Sequence, residues 1–193
     1  MRYSNTMNKK NRRLLAARSI GLLLLVSCLF SGCKSARVSD SLYKEGLPGT
    51  APWAVLPFIS FSGIKAGVSI QLERILMVHL PAIGIVEPHL YPEEEVTPHG
   101  DSTPQATRLK KAEEWAHISG LSFAVAGEVT EWAIAEDGVP SVSISLVVSD
   151  VRTSEILWSN SGTVQGEAWD DPYDTSRTLF IDLLQTLPIN NPR

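Results

Sequence analysis

The 193-residue chain carries 21 Asp and Glu against 17 Lys and Arg, and its two cysteines, Cys28 and Cys33, lie near the amino terminus. A net charge of −4 argues against nucleic acid as a partner. Because no cysteine follows residue 33, a disulfide scaffold is excluded and a packed core must stabilise the fold.

A secretory leader opens the chain. The first eighteen residues contain six Lys and Arg and no acid, and residues 20–30 form an apolar run. A basic segment followed by a short apolar segment is typical of a signal peptide. Eleven helical residues reach only about half of the hydrocarbon thickness of a bilayer, so the run is too short for a permanent span.

The end of the leader resembles a bacterial lipobox. In FSGCKS the residue Cys33 follows Ser31 and Gly32, and the resemblance implies cleavage before this cysteine and acylation of its thiol. Cys28, preceded by LVS, also fits the pattern. Cleavage at Cys28 would leave Leu29 and Phe30 after the anchor, whereas a polar segment follows Cys33, so Cys33 is favoured. An ordinary cleaved signal followed by a free thiol is the remaining alternative.

Cleavage before Cys33 divides the chain into a lipoprotein signal peptide (1–32), a lipidated flexible tether (33–50) and a periplasmic domain (51–193). The tether is predicted because residues 34–50 are rich in Ser, Gly and charge and have no periodicity. The mature chain keeps 11 Lys and Arg against 21 Asp and Glu, a net charge of −10. Such a surface repels anionic lipid head groups and nucleic acid and favours cationic partners.

The first half of the domain predicts a parallel pair of strands. APWAVLPF, from residue 51, indicates a buried strand, and apolar residues at steps of three and four between 64 and 80 indicate a helix. Residues 84–88 indicate a second strand, and this order favours a parallel pair with a right-handed crossover. The proline-rich residues 89–104 are predicted as an exposed loop.

The second half predicts a helix at 105–118, a three-stranded antiparallel meander over 121–165 and a last helix capped by Asp174 or Thr175. A change in the phase of alternation within GEVTEW indicates a bulge or twist near Gly127. Serines alternate with core residues between 141 and 148 and are read as a solvated face. The order β α β α β β β α predicts an α+β domain whose helices pack on a mixed sheet.

No catalytic constellation stands out. The sequence lacks G-x-S-x-G, a phosphate-binding loop and a dinucleotide fingerprint. The best metal candidate is the loop that contains His89, Glu93, Glu94, Glu95, His99 and Asp101. Zinc sites use ligands held on rigid elements with supporting partners, which a proline-rich loop does not supply. We therefore expect no metal site, no cofactor besides the covalent lipid, and no enzymatic activity.

Several segments together resemble the PelC family, outer-membrane lipoproteins of Pel exopolysaccharide export within a wider group similar to CsgG and LpoB. They cover most of residues 51–188, in this order: APWAVLPF, AG before a helix, EEWAHISGLSFAVAGEVTEW, DGVPSVSISLVVSDVRTSEILWSNSG and LLQTLP. The resemblance implies a non-enzymatic homo-oligomeric ring at the periplasmic face of the outer membrane. It also implies delivery of a cationic polysaccharide to a PelB-like export barrel, guided by an acidic lumen.

The resemblance suggests which residues serve that role. The lumen acids are assigned to Glu128 and Glu131 in GEVTEW and to Glu136 and Asp137 at the EDG turn. Asp137 is favoured because its DG-x-P turn matches the family, although solvated surface acids need no function. Trp169, in a polar loop, is assigned to a membrane or partner contact, with local packing as the alternative.

The alternative function is an activator of a peptidoglycan synthase similar to LpoB. Such an activator needs a long disordered arm to cross the cell wall. The tether predicted here, about seventeen residues, is short for that purpose. The ring-forming export component is therefore the first hypothesis.

Overall fold

The structure, a computed structural model, describes residues 43–61, 63–92 and 104–190. Cys28, Cys33 and most of the proline-rich loop lie outside these residues. The strands are β1 (Leu47–Pro48), β2 (Trp53–Val55), β3 (Ile59–Ser60), β4 (Pro88–Leu90), β5 (Phe123–Ile134), β6 (Pro140–Asp150), β7 (Ile156–Gln165) and β8 (Ile189–Asn190). The helices are α1 (Ala66–His79), α2 (Gln105–Ile118) and α3 (Pro172–Leu184), and a 3₁₀ turn, Leu80–Ile83, follows α1.

The main sheet has the order β4-β2-β5-β6-β7, and β3 also pairs with β5. β2 is parallel to both β4 and β5. β5, β6 and β7 form the antiparallel meander. The predicted α+β class, with helices on a mixed sheet and a carboxyl-terminal three-stranded meander, is confirmed. None of the helices in the described ranges is long and apolar enough to cross a membrane.

The core fills one face of the sheet. Val142, Ile144, Leu146 and Val148 alternate along β6 and are buried against α1 and α3. On the opposite face, α2 packs its small residues Ala112 and Ala116 on the β2 and β5 region. The sheet therefore lies between two helical layers, as alternation of apolar residues along β6 predicts for the core side.

β5 contains the bulge that was predicted within GEVTEW. The register shifts between Val129 and Glu131, three residues beyond Gly127. Gly127 has a different role, because a Cβ at this position would lie 2.3 Å from the ring of Phe58. The change of phase is visible in the sequence, but the contact between Gly127 and the ring of Phe58 is not, because the two residues are far apart in the chain.

The folded region begins earlier than the predicted boundary at residue 51. Leu47 is 1% exposed, and β1 pairs in parallel with β8 near the carboxyl terminus. The N–H of Leu47 donates to the carbonyl of Pro188 at 2.7 Å, and Trp53 Nε1 donates to Pro48 O at 3.2 Å. Residues 43–50 therefore belong to the domain and not to the flexible tether, because their pairing partner lies at the other end of the sequence.

Two further boundaries differ from the predictions. The second parallel strand is Pro88–Leu90, since Gly84 takes a left-handed conformation (φ 98°) that ends the 3₁₀ turn. The cap of α3 is Asp171, whose Oδ1 accepts the N–H of Tyr173 at 2.9 Å. Pro172 then occupies the first helical position, where its missing N–H has no cost.

A buried ion pair joins the two helical layers. Glu73 of α1 is 1% exposed and accepts two hydrogen bonds from the guanidinium of Arg108 of α2, at 2.7 and 2.8 Å. The same carboxylate accepts the N–H of Phe58, between β2 and β3, at 2.9 Å. Removing one partner of such a pair leaves an uncompensated charge in the interior.

We expect Arg108→Leu to lower the free energy of unfolding by about 3 kcal/mol, because Glu73 would remain buried without its counter-ion. Urea denaturation followed by circular dichroism measures this loss. Lys110→Leu, at an exposed position of the same helix, is the control and should change stability by no more than about 0.5 kcal/mol. Equal losses in the two variants would contradict the prediction.

A second polar contact holds the start of the domain. The hydroxyl of Tyr43 donates to Oδ2 of Asp150 at 3.3 Å, and the N–H groups of Arg152 and Thr153 donate to its Oδ1 at 2.9 and 2.8 Å. Burial on its own would raise the pKa of the Asp150 carboxyl, but these hydrogen bonds outweigh it and hold the pKa below its usual value.

Ionised Asp150 therefore stabilises the fold at pH values above the unfolded pKa of about 4, and this stability is lost as the pH falls through the lower folded-state pKa. Asp150→Asn should reduce stability at neutral pH and flatten the acid limb of the stability profile. Urea denaturation at a series of pH values tests this. An acid limb as steep as that of the wild type would contradict it.

Candidate functional site

Carboxylates collect from the middle of β5 to the turn between β5 and β6, and in the loop that follows β7. No Lys or Arg occurs in residues 112–151 or 153–176, so these acids lack basic neighbours in sequence. We call this set the acidic end: Glu128, Glu131, Glu136, Asp137, Glu167, Asp170 and Asp171. All seven side chains are exposed.

The β5 bulge puts Glu128 and Glu131 on one face of the sheet. Glu128 lies opposite Ser145 and Glu131 opposite Ser143, although a spacing of three in a regular strand would place the two acids on opposite faces. Two of the four predicted lumen acids are therefore neighbours because of a local irregularity. Their face is the one opposite the core.

A row of hydroxyl groups lies beside Glu131. Ser143 Oγ donates to Glu131 Oε2 at 3.2 Å and lies 2.5 Å from Thr163 Oγ1, so a row of three polar side chains crosses β5, β6 and β7. Ser143 is only 8% exposed, which corrects the interpretation of every serine on this face as solvated. Its neighbours on both strands cover it, whereas Ser141 and Ser145 are half-buried.

The other two predicted acids lie at the hairpin tip between β5 and β6. Asp137 Oδ1 accepts the N–H of Val139 at 3.2 Å, and Gly138 supplies the left-handed conformation of the turn at φ 82°. Glu136 and Asp137 are both exposed. The tip thus presents two carboxylates to solvent on a turn fixed by its own hydrogen bonds.

Trp169 packs on this tip and projects into solvent. Its N–H donates to the carbonyl of Gly138 at 2.9 Å, and its indole covers Gly138 so closely that a Cβ there would lie 3.1 Å away. The side chain is nevertheless 85% exposed, and the backbone of Trp169 is left-handed at φ 73°. The structure therefore brings together Asp137 and Trp169, which the sequence singled out separately.

Three acids of this end were missed by sequence reasoning. Glu167, Asp170 and Asp171 belong to the loop that carries Trp169, and Asp170 Oδ2 accepts the N–H of Glu167 at 2.7 Å. A cleft of about 320 Å³ beside this loop is lined in part by Glu167, Asp170 and Asp174. The long stretches without Lys and Arg were the signal that could have identified them.

The exposed carboxylates of the acidic end can attract cations. In the described ranges, no cluster of three His, Cys, Asp or Glu side chains could hold a metal ion. Of the predicted metal candidates, His89 is an exposed residue of β4, and the others lie outside the described residues. The carboxylates are spread over a surface, an arrangement suited to long-range attraction.

Comparison with solved structures identifies the fold. The chain is similar to the PelC dodecamer of Paraburkholderia phytofirmans, with a TM-score of 0.60 and 22% identity over 75% of this chain and 93% of that chain. A PelC dodecamer with one substitution, in another crystal form, gives a TM-score of 0.60 and 23% identity over 74% and 91% of the two chains. The chain has the PelC fold.

The PelC fold extends to a lipoprotein of Neisseria meningitidis, which matches with a TM-score of 0.51 and 21% identity over 70% of this chain and 96% of that chain. No protein-family model and no curated protein match the sequence. The resemblance to PelC read from the sequence is thus confirmed as a likeness of fold.

Proposed function

We propose that this protein is a periplasmic lipoprotein, anchored to the outer membrane, that forms a homo-oligomeric ring and guides a cationic exopolysaccharide of the Pel type to a PelB-like export barrel. The role is electrostatic and needs no catalysis. The observation that carries the proposal is the acidic end, where seven exposed carboxylates lie on a PelC fold without a Lys or Arg in the surrounding segments.

A ring would multiply this charge, because rotation about the ring axis places the acidic end of every copy at the same level along that axis. Mobile ions screen exposed charges beyond about 8 Å at physiological ionic strength, so the field is strong only inside a narrow opening. A single exposed ion pair contributes about 0.2–1 kcal/mol. Many weak contacts of this kind attract a chain of amino sugars and still let it slide.

Charge reversal tests the guidance role. Glu128 and Glu136 are exposed and hold no hydrogen bond to other described residues, so Glu128→Lys combined with Glu136→Lys should leave the fold intact. We expect at least about a fivefold loss of affinity for a chitosan oligosaccharide, since each lost contact contributes about 0.5 kcal/mol. Polymer export from cells should fall as well.

The matched control reverses two exposed acids of α2, Glu113→Lys with Glu114→Lys, which changes the net charge by the same amount. Binding and export should stay close to wild type in this control. If both double variants lose binding equally, net charge and not the acidic end controls attraction. If neither loses binding, the guidance role is wrong.

The anchor is proposed at Cys33. Because the folded domain begins by Tyr43, only ten residues, 33–42, connect the lipid to the domain. A fully extended segment of this length reaches about 35 Å, so the domain stays close to the membrane. Trp169, with its exposed indole, is proposed to contact the membrane or a partner subunit.

Mass spectrometry of the mature protein should find an acylated amino-terminal Cys33. Cys33→Ser should then abolish acylation and release the protein from the membrane fraction, whereas Cys28→Ser, inside the removed leader, should have no effect on the mature mass. An acylated Cys28, or an unmodified Cys33, would contradict the assignment.

A further inference from the structure

The outer strand of the meander has an unusually unprotected edge. β7 is ten residues long, Ile156–Gln165, and contains no charged residue and no proline. Natural proteins protect such edges with lysines, prolines or very short strands, because an open edge can pair with another chain. The opposite edge of the sheet is protected, since β4 has three residues and begins with Pro88.

The hydrogen-bond pattern shows which groups of β7 face outward. The N–H of Gly166 donates to Pro140 O at 2.9 Å, so Val164, Gly162 and Asn160, at even steps from it, bond to β6. The N–H and C=O groups of the alternate residues point away from the sheet. These residues are Ser159, Ser161, Thr163 and Gln165.

One of the four outward N–H groups, that of Ser161, has an acceptor within the chain. Asn160 Nδ2 donates to Leu183 O at 3.2 Å and to Thr186 Oγ1 at 3.0 Å, which turns its Oδ1 toward the N–H of Ser161 at 2.9 Å. In the described part of the chain, the other three outward N–H groups have no partner. All four outward residues have exposed side chains, so a second strand can reach them.

We propose that the β7 edge pairs with an extended segment of a second copy of this chain. This inference rests on the proposed ring, which supplies neighbouring copies, and it names the surface through which they join. Backbone N–H and C=O groups in alternation fit another polypeptide backbone, whereas a polysaccharide lacks this repeat.

The geometry also limits how the copies pair. A cyclic ring uses two different surfaces of each copy. The β4 edge cannot match the full length of β7, because it has three residues and Pro88 lacks an N–H. The neighbour therefore contributes a segment from outside its own sheet edge. Pairing of β7 with β7 would give a two-fold dimer and would use the same surface twice.

A proline at position 163 tests the pairing. Thr163→Pro removes an outward N–H group that has no hydrogen-bond acceptor among the described residues. Proline is tolerated at such a position, where the N–H of an edge strand faces away from the sheet. Thr163→Val is the matched control, because it loses the same hydroxyl contact with Ser143 but keeps the N–H. Light scattering after size exclusion, on the full lipidated chain in detergent, measures the assembled mass.

We expect Thr163→Val to assemble like the wild type and Thr163→Pro to be a folded monomer, with an unchanged circular dichroism spectrum. A folded Thr163→Pro protein of wild-type assembled mass would overturn the β7 pairing and leave the ring standing. A monomeric wild type would overturn the ring and the pairing with it.

If Thr163→Pro does not fold, Ser159→Lys combined with Thr163→Lys decides the question. These substitutions keep every N–H and add the charges with which natural edge strands repel pairing. Loss of assembly in the folded double variant supports the pairing, and retained assembly overturns it.

Discussion

The buried carboxylate of Glu73 is the interaction on which the arrangement of the layers depends. It accepts hydrogen bonds from Arg108 on the other helical layer and from the N–H of Phe58 in the connection between β2 and β3. At that point the backbone leaves one strand before it enters the next, and both strands pair with β5. Between β2 and β3, where strand pairing is interrupted, the Glu73 carboxylate accepts three hydrogen bonds, one of them from the backbone N–H of Phe58.

This contact lies beside β5, the strand that bears the exposed acids Glu128 and Glu131. β5 pairs with β2 and β3 on one side and with β6 on the other, and its bulge turns Glu128 and Glu131 to the same face. Gly127, three residues before the shift, admits the ring of Phe58, the residue whose N–H binds Glu73. Core packing and the display of the acids are therefore coupled through a few neighbouring positions.

The parts of the fold that the sequence predicted are those with local signals. Alternation along β6 and the periodicity of Gln105–Ile118 appear within single segments, and both elements formed as predicted. The pairing of β1 with β8 and the packing of Trp169 on Gly138 join residues far apart in the chain, and no periodicity records such contacts. The acids at 128, 131, 136 and 137 were identified from a family resemblance, but only the structure shows that the Trp169 loop completes their surface.

The pairing of β1 with β8 makes the two ends of the fold neighbours. Tyr43 contacts Phe123 at the start of β5, and the turn that carries Glu136 and Asp137 follows the other end of that strand, about 36 Å away at the usual rise per residue. A segment attached after Asn190 would therefore leave the fold near Tyr43 and would leave the carboxylates of the β5–β6 turn uncovered. The adjacency also suits circular permutation, since a short linker could join the two ends and a new start could be opened in an exposed turn.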